Sequence, residues 1–165
     1  DGVAVHLLLE HAPVAETGDR LRFLGGGAVG DDGENKCANG DTICFAATEA
    51  KDKSPKSVNH GDIFFLIATW KSGAASEQPS LMAGYNFKDA SEPTLRIGSD
   101  RWKMFVSDNE AFIEESTDES RLIRAMRRGA DMRVSAYSTR DTATNYVISL
   151  RGVSAALDRA KEICR

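Results

Sequence analysis

Residues 131–164 read DMRVSAYSTRDTATNYVISLRGVSAALDRAKEIC, and the hydrophobic period changes once within them. Met132, Val134, Ala136 and Ser138 alternate with Arg133, Ser135, Tyr137 and Thr139, the period-2 pattern of a half-buried strand. Arg140-Asp141 marks a turn, and Thr144, Tyr146 and Ile148 alternate with Ala143, Asn145 and Val147 on the return. From Arg151 the spacing becomes helical, with Val153, Ala156, Leu157, Ala160 and Cys164 on one face. A hairpin followed by an amphipathic helix is thus expected, with Cys164 aimed at the sheet. No reaction can be read from this pattern.

Upstream, short strands are expected at Asp62–Lys71, Ser80–Phe87, Thr94–Gly98, Trp102–Val106 and Glu110–Glu114, with Gly98-Ser99-Asp100 as a hairpin turn. Lys36–Ala50 reads as a hairpin arm turning at Asn39-Gly40-Asp41, and Lys51–His60 as a polar connection. Val3–Glu10 has the composition of a further strand, Gly25-Gly26-Gly27 reads as a flexible turn, and Asp31–Asn35 as an acidic surface loop. Ser116-x-x-Glu119 reads as a capping box, with Ser116 capping a helix that Gly129 ends. Many short strands and only two short helices argue for a mainly β sandwich or barrel.

The 165 residues suit a single globular domain, and no apolar stretch approaches the ~20 residues of a membrane span. Net charge is −4, but residues 116–165 alone carry +4, almost all of it arginine. Arg121, Arg124 and Arg128 share one side of the expected helix, an arrangement open to an anionic partner. Solvated faces balanced by acidic neighbours are the plainer reading. A stripe of three arginines on an acidic chain predicts no nucleic-acid affinity at physiological salt.

Three cysteines fit neither a disulfide-rich miniprotein nor a zinc site, since Cys37 and Cys44 have no second ligand pair at metal spacing. One bridge and one spare thiol are expected, and Cys37–Cys44 and Cys44–Cys164 are both open on the residues alone. A cysteine hydrolase would need Cys37 or Cys44 near His60, with Asp62 as orienter, but nothing local marks a nucleophile. Trp70, Trp102, Phe64, Phe65, Tyr85, Phe87 and Phe105 could line a groove, though aromatics at strand spacing more often form core. Val3–Leu9 is too interrupted for a signal peptide, so any leader would already have been removed.

Ile43–Thr48, Asp62–Ile67, Gly84-Tyr85-Asn86-Phe87-Lys88, the run from Leu122 to Gly129, and Ser149-Leu150-Arg151-Gly152 leading to Cys164 together resemble the invasion-associated locus B (IalB) family of bacterial cell-envelope proteins. The resemblance divides the chain into residues 1–35, a poorly matched N-terminal strand and loop segment, and residues 36–165, the family-like part. It implies an immunoglobulin-like β-sandwich, a periplasmic or secreted location and no enzymatic activity; no cofactor and no metal are expected. Its partner would be a protein or envelope component that the residues do not specify. The family pattern carries Cys44 and Cys164 but not Cys37, which implies a Cys44–Cys164 bridge and leaves Cys37 as the free thiol.

Overall fold

The computed structural model describes residues 22–24, 28–29, 35–36, 43–73 and 75–164. Two antiparallel sheets dominate it. The first orders its strands β1 (Arg22–Leu24), β4 (Ile43–Glu49), β6 (Phe64–Trp70), β7 (Gln78–Met82), β11 (Glu110–Phe112) and β10 (Phe105–Ser107). The second orders β5 (Asp52–Ser54), β13 (Ala143–Ser149), β12 (Asp131–Tyr137), β8 (Thr94–Ile97) and β9 (Asp100–Lys103). A two-stranded ribbon of β2 (Ala28–Val29) and β3 (Asn35–Lys36) stands apart in the pairing. Helices α1 (Ser116–Arg128) and α2 (Val153–Ile163) complete the immunoglobulin-like sandwich expected from the resemblance.

The hairpin of β12 and β13 forms, with Tyr137 opposite Ala143 and Asp131 opposite Ser149. Its inward residues Met132, Val134, Ala136, Thr144, Tyr146 and Ile148 are all buried, as the period-2 pattern requires. They meet Ala46, Phe65, Ile67 and Leu81 of the first sheet in one core, closed by Leu122 and Met126 of α1 and Leu157 of α2. The apolar stripe of α2 is buried at Val153, Ala156, Leu157, Ala160 and Cys164.

Among the described residues Lys36 pairs with Ala28, and β4 pairs with β1 and β6. Three local expectations are corrected. The 51–60 connection contains β5, a three-residue edge strand on β13. Trp102–Val106 is two strands: Met104, buried and bonded through its N–H to the Pro93 carbonyl at 2.8 Å, is where the chain leaves one sheet for the other. Gly98-Ser99 alone forms the β8–β9 turn, with Ile97 opposite Asp100.

The capping box does not form either. Glu115 is the N-cap residue, the Glu119 N–H donates to the Glu115 carbonyl at 3.0 Å, and Ser116 already lies inside the helix. At the other end Gly129 does stop α1, but in extended backbone with φ −85°. A Cβ there would come within 2.7 Å of Ile97 Cγ2, so packing demands the glycine. Val3–Glu10, Gly25–Gly27, most of the acidic loop and the Asn39–Asp41 turn lie outside the described residues.

Candidate functional site

A chain of polar side chains runs into the core where the two sheets meet. His60 is buried, and its Nε2 lies 2.7 Å from the Pro55 carbonyl. Its Nδ1 lies 3.0 Å from the Tyr146 hydroxyl, which is 2.7 Å from the Tyr85 hydroxyl, itself 2.8 Å from Thr144 Oγ1. Thr144 also reaches the Ala136 carbonyl at 3.3 Å. His60 and Tyr146 meet edge to face, ring centroids 5.4 Å apart.

Donor counting fixes the direction of this chain. A neutral His60 that donates from Nε2 to Pro55 must accept at Nδ1, so Tyr146 donates to it, Tyr85 to Tyr146 and Thr144 to Tyr85. A protonated His60 reverses every hydroxyl, and the last hydrogen goes to the Ala136 carbonyl. Every member is satisfied in both states, which is what a buried polar network needs to be stable. Burial pushes the Tyr146 phenol far above its ordinary value of 10.0, so it remains a neutral donor.

Backbone contact sets the geometry. Gly61 follows His60 with φ 63°, and Gly84 precedes Tyr85. A Cβ on Gly84 would stand 2.9 Å from Gly61 Cα and 3.0 Å from the His60 carbonyl, so only two glycines let these segments touch. Beyond them, the Lys88 N–H donates to the Tyr137 carbonyl at 2.9 Å and the Thr139 N–H to the Asn86 carbonyl at 3.1 Å. These bonds tie the 86–88 segment to the tip of the β12–β13 hairpin. The result is a cleft of about 520 Å³ with His60, Tyr85, Asn86, Thr139, Arg140 and Thr144 in its wall.

The thiol–imidazole pairing considered from sequence is not assembled by Cys44. Cys44 is bonded to Cys164, with Cα atoms 6.0 Å apart, and both pack with Ala160 of α2. Both ring nitrogens of His60 are committed to Pro55 and Tyr146, and Asp62 is exposed. Cys37 lies outside the described residues. Among the described residues no group of His, Cys, Asp and Glu is arranged to hold a metal ion.

Of the three helical arginines, Arg121 is engaged in the fold itself. Its guanidinium lies 4.2 Å over the Trp102 ring, donates to the Arg101 carbonyl at 3.0 Å and pairs with Asp118 at 3.3 Å. Arg124 and Arg128 are exposed. The aromatic set is mostly core: Phe65, Phe87 and Trp102 are buried, Phe64, Trp70 and Tyr85 partly so, and only Phe105 is open at 46%. The participation of His60, Tyr85 and Tyr146 in one network was not legible, since these residues are far apart in the chain. The paired Gly-aromatic and His-Gly dipeptides were the one available signal.

Two antiparallel sheets around one core, with a terminal helix tied by a disulfide to the first long strand, define a mainly β, disulfide-bonded protein. Among the described residues no helix is long and apolar enough to cross a membrane. Residues 33–161 match the family described as Invasion associated locus B (IalB) protein, and the chain belongs to that family. The fold is similar to the crystal structure of invasion associated protein B from Bartonella henselae, with a TM-score of 0.51 at 12% identity. That match covers 90% of this chain and 98% of the other. No curated protein matches the chain.

Proposed function

We propose that this chain is an exported, non-enzymatic protein of the bacterial envelope, periplasmic or secreted, which acts by binding and contributes to envelope maintenance or to contact with host cells. Residues 36–165 are its working domain. The Cys44–Cys164 bond carries this reading, because disulfides persist in oxidising compartments and are rare in the cytosol. Family membership supports the envelope assignment and the link to invasion. The commitment of both His60 nitrogens supports binding over hydrolysis, since no ring nitrogen is left to activate a thiol.

Thiol trapping on fractionated cells tests the reading. The expected result is protein in the periplasm or medium with Cys44 and Cys164 joined and Cys37 alkylated. Recovery in the cytoplasm with all three thiols reduced would overturn it. An esterase or peptidase activity abolished by Cys37→Ser and by His60→Ala would replace binding with hydrolysis.

A further inference from the structure

The outward face of the five-stranded sheet carries a row of arginines that needs a partner. Register places Asp52, Val147, Arg133, Arg96 and Arg101 side by side across β5, β13, β12, β8 and β9. Arg133, Arg96 and Arg101 therefore face one another directly on three neighbouring strands, spaced by about 5 Å per strand. All three are exposed, and among the described residues none has a carboxylate at ion-pair distance, Asp52 at the end of the row attracting Arg133 only from farther away. By contrast Lys51, Lys53, Lys56, Lys88 and Lys103 each hold an acidic side chain. Like charges opposed across strands destabilise a sheet, so this row works against the fold that contains it.

The next row of the same face is rich in hydrogen-bonding groups, Ser54, Asn145, Ser135 and Thr94, and ends at Lys103, which is paired with Glu92. Ser135 Oγ donates to Asn145 Oδ1 at 2.9 Å. The two rows line a concavity of about 350 Å³. Tyr137 lies two residues beyond Ser135 on the same side of β12 and is 51% exposed.

The geometry points to a binding surface for an acidic polysaccharide. Guanidinium groups pair with carboxylate or sulfate in bidentate geometry. The adjoining hydroxyls and amide suit sugar hydroxyls, and an open phenol ring suits the apolar face of a pyranose. Single-stranded nucleic acid is disfavoured, because successive bases stack on successive aromatic side chains and the two rows have only Tyr137 beside them among the described residues. An anionic bilayer is disfavoured as well, since polybasic membrane segments use about 4–8 cations where this row has three. The inference is independent of export and of the disulfide, and goes beyond the proposed function by naming a surface and a ligand class.

Heparin, a sulfated uronate polymer, is the probe, titrated calorimetrically into the full-length oxidised protein from low to physiological salt. Affinity should fall with salt, and the variant Arg96→Ser/Arg101→Ser/Arg133→Ser should bind at least about 10-fold more weakly, with a salt slope reduced by about two to three. Its melting temperature should equal or exceed that of the parent, which distinguishes a lost ligand from a lost fold. Arg124→Ser/Arg128→Ser should leave binding unchanged. Absence of heparin binding, equal binding by the triple variant, or a loss carried by the Arg124/Arg128 pair would each overturn the inference. So would duplex DNA or phosphatidylglycerol vesicles held more tightly than heparin through the same arginines. Each of those results would leave the thiol-trapping outcome untouched.

Discussion

The two sheets bury their residues in different ways. In the six-stranded sheet both faces of the central strands are covered. Phe65 and Ile67 point into the common core, while Phe45, Ala47, Leu66, Ala68 and Met82 form a second apolar cluster on the opposite face. The five-stranded sheet is one-sided: β12 alternates buried and exposed without exception, and its outer residues are aspartate, arginine, serine and tyrosine. A strand that reads as a near-continuous apolar run is buried on both sides, and one that alternates keeps a face for solvent or a ligand. The first sheet therefore buries apolar side chains on both of its faces, and the second leaves one face open.

That division is tested most severely by removing the disulfide. Cys44 and Cys164 are 120 positions apart, and opening so long a loop should cost about 5 kcal/mol in the chain-entropy description. Urea unfolding of Cys44→Ser/Cys164→Ser against the oxidised parent measures it, and a loss under about 1 kcal/mol would mean that α2 holds to β4 without the bond.

Leu66→Ala probes the outward face of β6, where Leu66 is 1% exposed. A loss of about 2–5 kcal/mol is expected, as for any buried leucine. A near-neutral result would collapse the distinction between the sheets, because Leu66 would then behave like an outward residue of β12.

Tyr146→Phe removes the middle of the polar chain and should cost about 1–3 kcal/mol by leaving His60 Nδ1 and Tyr85 short of a partner. It also has a pH signature. The folded phenol titrates above its ordinary value of 10.0, so folding retains a proton that the unfolded chain has lost. Stability from this source is full below about pH 10 and falls as pH rises beyond it. Thermal melts taken from pH 8 to 11 should show a steeper alkaline loss in the parent than in the variant, and parallel curves would refute the assignment.

The smallest effect is expected at Ser116→Ala. With Ser116 inside α1 and Glu115 as the cap, its loss should stay within about 0.5 kcal/mol, where a true capping serine would cost about 1. Denaturant melts that show the larger value would restore the capping box.

These cases show what the sequence made legible. The β12–β13 hairpin and α2 were readable down to single buried residues, because their periods are long and each element is bounded by a turn signal. The capping box had the right letters one position away from the required backbone: Glu115 is the residue in extended conformation, and a spacing motif cannot report φ and ψ. β5 escaped notice because a three-residue edge strand has no room for a period. The change of sheet at Met104 is a tertiary event inside a run that looks uniformly extended. Of the arginine row, only Arg96 opposite Arg101 was accessible in principle, through the two-residue turn at Gly98-Ser99. Arg133 joins them by pairing β12 with β8, which no local pattern encodes.

The bond between Cys44 and Cys164 also decides how the molecule would carry tension. Nearly all of the two sheets lies inside the covalent ring that it closes. A pull between the segment before Cys44 and the residue after Cys164 would travel along strand, sulfur and helix end, bypassing the core altogether. In the oxidised protein the ladders inside the ring are thus mechanically shielded, and reduction puts them in the path of the force, whereas the β1–β4 ladder lies outside that protection.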